Sequence, residues 1–450
     1  MTTIPDPTAP DSTARGSAAA DRRRSPGRVR ALAYTAAAAV LAACCALPSV
    51  VSAVADPDPV RLRPPAPTGP YAVGQVDLHL VDPTRGHPWV EGSERRELMA
   101  TVWYPAAEGA DGDPAPYASP AAAGRLADEL EQVGLARDAV DFAGARAGAV
   151  VGAPVAAEAG RLPVLVYSHG FRQTRYQAAA QLADLASRGF AVVALDHPYE
   201  SAAVEFPDGR IVRDTAAGSD PETMREAIAV RVADTRLALD AVAELAAGRN
   251  PDAGAGDDGR TLPRGLGAAL DPAHTGVFGH SAGGITAAET MLVDDRVDAA
   301  ANLDGSMAYH VGNEDWTRAT LAGAPRPFLL MGGGSSGREG LPHTSEHAPD
   351  WSRFRAASTG EFTEVYLAEA EHMSFTDHQW VLARIEERLH PDSPAWETTR
   401  TESVGTIDAE RSVAAQRAYL AAFFTEHLRG EEQPLLDGPS PEYPEAELIG

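Results

Sequence analysis

Thr275-Gly276-Val277-Phe278-Gly279-His280-Ser281-Ala282-Gly283-Gly284-Ile285 is the stretch on which the reading of this chain turns. Residues 275–278 form a short run suited to a buried strand, and residues 283–292 have the small and apolar side chains of a packed helix. Between them lies the pentad Gly279-His280-Ser281-Ala282-Gly283. A glycine-rich chain meets such a pentad by chance, so it is weak alone. Its setting gives it weight, because a strand-to-helix turn is what a nucleophile elbow requires. Side chains at Gly279 and Gly283 would collide with neighbouring elements, while Ser281 would project its hydroxyl above the sheet. The helix N-terminus would lie beneath any developing negative charge. The competing reading is a plain glycine-flanked helix start.

Outward from the elbow, strand and helix patterns alternate. Strands are predicted over 163–167, 191–195, 299–303, 328–331 and 363–367, and helices over 176–187, 222–247, 283–292 and 409–427. Two earlier runs, 75–81 and 98–104, predict an opening antiparallel pair. Residues 120–133 have helical spacing within the otherwise ambiguous segment 106–159. Continuous apolar strand cores imply a sheet covered on both faces. The fold class expected is α/β, an α/β-hydrolase fold with a mostly parallel central sheet and helices on both faces.

A serine nucleophile needs a base, and chain order in this fold puts a histidine near the C-terminus. His372 follows the 363–367 strand by a short loop; His378 is the rival, expected on the next helix. His169, His197 and His280 read as structural. The third member must orient the imidazole. Asp304 ends the 299–303 strand, at the carboxyl edge where such sheets place chemistry, and Glu339 and Asp350 after the next strand compete with it. Two backbone N–H groups are needed for an oxyanion hole: Ala282, after the nucleophile, and Phe171, in the loop after the 163–167 strand, with Gly170 permitting close approach. Tyr199, Trp351 and Phe375 are candidate walls of a substrate pocket, each equally readable as a core or rim aromatic. The chemistry calls for no metal and no organic cofactor.

These residues resemble the platelet-activating factor acetylhydrolase family and its bacterial relatives, over roughly residues 71–427. The likeness rests on Tyr167-Ser168-His169-Gly170-Phe171, Gly279-His280-Ser281-Ala282-Gly283-Gly284, Leu303-Asp304-Gly305 and His372-Met373-Ser374-Phe375. That family places its acid after the strand that follows the nucleophile helix, at the interval that separates Ser281 from Asp304. The resemblance thus selects Asp304 over its rivals. It implies a calcium-independent hydrolase of short-acyl esters with Ser281, Asp304 and His372 as triad and Phe171 and Ala282 as oxyanion donors. Ala282 stands where the vertebrate enzymes have a bulkier residue, which implies a more open acyl side.

Composition sets the outer limits. All 38 basic residues are arginine, set against 64 acids for a formal charge of −26. Six arginines and three aspartates fall in residues 1–55, leaving 32 arginines against 61 acids in the remainder. Such a body has no basic stripe to displace counterions, which excludes nucleic acid as a partner, and an anionic bilayer would repel it. The expected partner is a small-molecule or lipid ester. The two cysteines, Cys44 and Cys45, lie outside the body, which therefore has no disulfide or thiolate chemistry.

Residues 1–55 read as an address. Arg22-Arg23-Arg24 through Arg30 precede the uncharged run 31–55, which ends on Ala53-Val54-Ala55. Cleavage after Ala55, retention of 31–55 as a membrane anchor, and lipidation of Cys44 in a lipobox-like Leu41-Ala42-Ala43-Cys44 are the three outcomes. Each places the body outside the cytoplasm, and membrane attachment is expected only through 31–55. The expected organisation is 1–55 export signal or anchor, 56–70 proline-rich linker, 71–430 catalytic domain and 431–450 acidic flexible tail. The function expected is a secreted or anchored serine esterase of short-acyl esters, including phospholipid sn-2 esters. A polyesterase, a lipase and an inactive binding module of the same fold are the alternatives.

Overall fold

The computed structural model describes residues 58–450, apart from 216–217, 256–260, 311, 313 and 336–340. Residues 1–55, expected as an export signal or anchor and including Cys44, and the rival acid Glu339 lie outside the described residues. Among those described, no helix is long and apolar enough to cross a membrane.

The centre is an eleven-stranded sheet. Its strands in chain order are β1 (Ala72–Asp82), β2 (Arg96–Ala106), β3 (Pro114–Pro116), β4 (Arg146–Val151), β5 (Leu162–Ser168), β6 (Ala191–Leu195), β7 (Leu270–His280), β8 (Ala299–Leu303), β9 (Phe328–Gly333), β10 (Phe362–Leu367) and β11 (Ala446–Leu448). Across the sheet they lie in the order β11-β10-β9-β8-β7-β5-β6-β2-β1-β4-β3. From β6 to β10 every neighbouring pair is parallel. The β1–β2 hairpin is antiparallel, as its sequence predicts.

The continuous apolar strands are explained by two cores, one on each face. Along β5, Leu165 and Tyr167 point into one and Val164 and Val166 into the other. The longer helices are α1 (Pro120–Gln132), α2 (Ala179–Ser187), α3 (Pro221–Ala246), α4 (Ala282–Val293), α5 (Pro349–Ala357), α6 (His378–Leu389), α7 (Pro394–Val404) and α8 (Ala409–Arg429). Leu182 of α2 and Phe423 and Phe424 of α8 fill the first core, and Leu239 and Val242 of α3 with Phe354 of α5 fill the second. Helix starts follow local chemistry. Asp220 accepts from the N–H groups of Glu222 at 3.0 Å and Thr223 at 3.1 Å, with Pro221 as the first helical residue.

Two expectations about the ends are corrected. Residues 431–450 are not a free tail: Ala446–Leu448 pairs antiparallel with Val365–Leu367, and Arg411 of α8 binds Glu445 at 2.9 Å. Strand β10 would otherwise be a bare edge, and β11 covers it. Nor is the described part of the proline-rich segment, 58–70, a loose linker. Val60 and Leu62 are buried, and Arg417 of α8 donates to the carbonyls of Pro65 at 2.8 Å and Ala66 at 3.0 Å. Proline has no N–H but keeps its carbonyl, so such a segment docks wherever the body supplies donors. In both cases acidic or proline-rich composition concealed an ordered contact.

Candidate active site

The elbow forms as its sequence predicts. Ser281 sits between β7 and α4 at φ 56 and ψ −119, a backbone conformation that ordinary residues avoid. A Cβ on Gly279 would stand 2.3 Å from the Ser168 carbonyl oxygen, and one on Gly283 only 1.8 Å from the same atom. The two glycines let the turn rest directly on the end of β5. Behind it, a Cβ on Gly284 would stand 1.9 Å from Oδ1 of Asn302. That side chain also bridges N–H and C=O of Gly305 at 2.7 and 2.8 Å, tying the turn that follows β8.

From this second turn Asp304 projects at φ 54, a left-handed position that aspartate tolerates. His372 opens a short 3-10 turn whose start is fastened by Glu371 and Ser374 in a capping box. The three side chains meet. Ser281 Oγ lies 3.1 Å from His372 Nε2, and His372 Nδ1 lies 2.6 Å from Asp304 Oδ2. Ser281 and His372 are half-buried while Asp304 is buried, so the hydroxyl end of the chain faces solvent.

The free oxygen of Asp304 is occupied as well. Its Oδ1 accepts from the Gly333 N–H at 3.0 Å and from His343 Nδ1 at 2.8 Å. Burial alone would raise this carboxyl, but the charge and hydrogen bond of His343, then those of His372, outweigh it and hold it well below the usual carboxylate range. For His343 burial pulls the imidazole down, and Asp304 more than reverses it. Glu371 differs: burial, then the charge of Asp304, push its carboxyl up to about 7.

Phe171 packs against the small apolar cluster that contains Ala282, the residue after Ser281. Among the described residues neither backbone N–H is taken by a protein acceptor. Gly170 is needed before Phe171, since a Cβ there would meet Gln173 Oε1 at 2.6 Å and His280 Nδ1 at 2.9 Å. His280 is buried and reaches the His372 carbonyl oxygen at 2.9 Å, with the two rings 4.5 Å apart.

The rivals are engaged elsewhere. Asp350 starts α5 and accepts from Ser306 Oγ at 2.9 Å and the Met307 N–H at 2.7 Å. His378 is the first residue of α6, as expected, and contacts Thr376 Oγ1 at 3.0 Å. Two of the candidate pocket walls are corrected. Trp351 and Phe375 are both 0% exposed. The Trp351 ring backs His343 and donates to the Gly305 carbonyl at 2.9 Å, so it serves the Asp304 turn from beneath. Tyr199 packs edge-on against His87. Apolar residues that do gather with Phe171 and Ala282 are Ile228, Ile285 and Tyr309, with Met224 and Val232 alongside. Sequence reasoning missed this cluster and His343. The helical spacing of 224, 228 and 232 was a signal for the cluster; His343 lies in a loop and had none.

Comparison with known proteins places the chain among esterases. The family described as platelet-activating factor acetylhydrolase, isoform II, matches residues 60–331. A protein of Arthroderma benhamiae named as a probable 1-alkyl-2-acetylglycerophosphocholine esterase is 26% identical over 426 residues, covering 90% of this chain and 98% of its own. The solved structure of a ferulic acid esterase from Streptomyces cinnamoneus is similar at a TM-score of 0.65 and 35% identity, covering 86% of this chain and 98% of that one. With a family match across most of the sheet and an esterase of the same architecture beside it, the chain belongs to the platelet-activating factor acetylhydrolase, isoform II, family and is a carboxylic-ester hydrolase of the α/β-hydrolase fold.

Proposed function

We propose that this hydrolase cleaves short-acyl esters by two-step acyl transfer through Ser281, His372 and Asp304. The observation that carries the reading is the hydrogen-bonded chain from Ser281 Oγ through His372 to Asp304, open to solvent at the hydroxyl. His372 Nε2 takes the hydroxyl proton as Oγ attacks the ester carbonyl carbon. The oxyanion rests on the N–H groups of Phe171 and Ala282. His372 then passes that proton to the leaving alkoxide oxygen as the C–O bond breaks, leaving Ser281 acylated. Water attacks the acyl-enzyme by the same proton route and releases the acid. Asp304 holds the Nδ1–H throughout and remains ionised, consistent with its depressed pKa.

The Arthroderma benhamiae relative supports acetyl esters as substrates, including the sn-2 esters of glycerophospholipids. Feruloyl esters are the second reading, favoured by the greater identity to the Streptomyces cinnamoneus enzyme. A panel of acetyl, butyryl, decanoyl and feruloyl esters separates them, with kcat/KM expected to be highest for acetyl and to fall with chain length. Emulsified triacylglycerol and polyester film serve as further arms. Fluorophosphonate should label Ser281; a folded protein that gives no adduct there is a binding module and not this enzyme.

Residues 22–55 support an extracytoplasmic location, secreted or anchored through 31–55. The secreted form is expected to begin at Asp56 when its N-terminus is sequenced from the medium. Recovery of the chain from the cytoplasm with its first residues intact would count against export.

A further inference from the structure

Beneath the loop that carries Phe171 lies a second set of polar groups, all closed to solvent. Ser168, His197 and Asp234 are each 0% exposed. Ser168 Oγ lies 2.8 Å from His197 Nε2, and His197 Nδ1 lies 3.0 Å from Asp234 Oδ2. The order imitates a catalytic triad, yet no ester can reach Ser168. Ser168 is instead the last residue of β5, one step before His169-Gly170-Phe171, so the group anchors the root of that loop.

Arg231 of α3 joins this anchor to the loop itself. It too is 0% exposed. Its Nη1 donates to Ser168 Oγ at 3.0 Å and to the His169 carbonyl at 2.5 Å, and its Nη2 donates to the Gly170 carbonyl at 3.2 Å. Nε donates to Glu200 Oε2 at 2.6 Å, and Nη2 also binds the second oxygen of that carboxylate. Glu200 is equally buried. The planar fork of arginine, clamped by a carboxylate on one side, presents its remaining donors in fixed directions.

Peptide geometry supplies the consequence. In a trans peptide the C=O of one residue and the N–H of the next point opposite ways. The Gly170 carbonyl is drawn inward by Arg231 and by His169 Nδ1 at 2.7 Å, so the Phe171 N–H must face outward. A buried ion pair is a poor source of net stability, since desolvation offsets the attraction. What it can do well is hold one orientation.

We propose that Arg231, held by Glu200, is a positioning residue of the oxyanion hole that aims the Phe171 N–H at the reacting ester oxygen. This rests on the reading of Phe171 and Ser281 given above. Removal of an oxyanion donor lowers turnover about 100- to 1000-fold. Arg231→Lys keeps the charge but loses the fork, so kcat should fall roughly 10- to 100-fold with KM within about twofold.

The deciding measurement compares 4-nitrophenyl acetate with its thionoacetate in the full chain. Sulfur accepts hydrogen bonds poorly, so a working hole favours the oxygen ester. In Arg231→Lys the oxygen-to-sulfur ratio of kcat/KM should drop along with kcat. Glu200→Gln should shift it the same way by a smaller factor, and it decides the matter if Arg231→Lys does not fold. A folded variant that loses rate equally on both esters, or loses none, overturns the inference. Ser281→Ala is run beside them. If it is inactive while the variants keep the wild-type ratio, only the role of Arg231 fails; if it keeps wild-type turnover, the mechanism above has failed and this inference goes with it.

Discussion

Asp304 is where single-residue chemistry is most exposed to test. Its carboxylate receives His372, His343 and the Gly333 N–H, while Asp350 accepts from Ser306 and Met307. Asparagine also tolerates the φ of 54, so Asp304→Asn should fold. Its amide leaves His372 in the wrong tautomer, and kcat should fall on the order of 10⁴-fold. Asp350→Asn should stay within a few-fold of wild type and show its cost in thermal melting alone. Because the Asp304 pKa is depressed, its contribution to stability is present above the ordinary carboxylate range and is lost as pH falls through its lower folded value. Glu371 has the opposite sign. Its carboxyl is raised from 4.5 to about 7, so the folded state holds a proton that the unfolded state releases, and stability declines as pH rises across that window. Glu371→Gln keeps the capping acceptor and removes the ionisation. The melting temperature of this variant relative to wild type should therefore climb between pH 4.5 and pH 7. A constant difference across that range would remove Glu371 as the cause.

At the scale of elements, the site is a set of turns pressed together where the parallel strands end. The elbow between β7 and α4 touches the end of β5 through Gly279 and Gly283, and touches the turn after β8 through Gly284 and Asn302. A methyl group on Gly283 meets backbone, which cannot swing aside. Gly283→Ala should thus cost about 1–3 kcal/mol or more and depress kcat, since the same shift moves Ser281. Gly438→Ala is the control: nothing lies within 4 Å of its added Cβ, and its melting should change by less than about 0.5 kcal/mol. The elbow, His372 and Phe171 were legible because each sits at a strand end that chain order alone identifies. The aromatic pocket was not. Trp351 and Phe375 are large, apolar and near the right loops, but whether a ring faces a cavity or a core depends on the neighbouring chain, and here both face the core.

For the molecule as a whole, the last twenty residues matter to the sheet more than to the site. Deletion of 431–450 strips β11 from β10 and bares an edge. It should lower the melting temperature and promote association on heating, while kcat/KM at moderate temperature stays near wild type. Light scattering during a thermal ramp checks this, and an unchanged melt would mean that β11 is ornamental. Periodicity and turn chemistry in the chain are local properties, and they were enough to predict the sheet's parallel core and the elbow and to nominate His372 as base and the Phe171 and Ala282 N–H groups as oxyanion donors. For the acid, local reading left three carboxylates open and family likeness chose among them. Only the tertiary structure brings His343 onto Asp304, Arg231 onto the loop carbonyls and β11 onto β10. Those contacts join residues 39 to 83 positions apart, and their geometry is set by packing around two cores, which no short window of sequence contains.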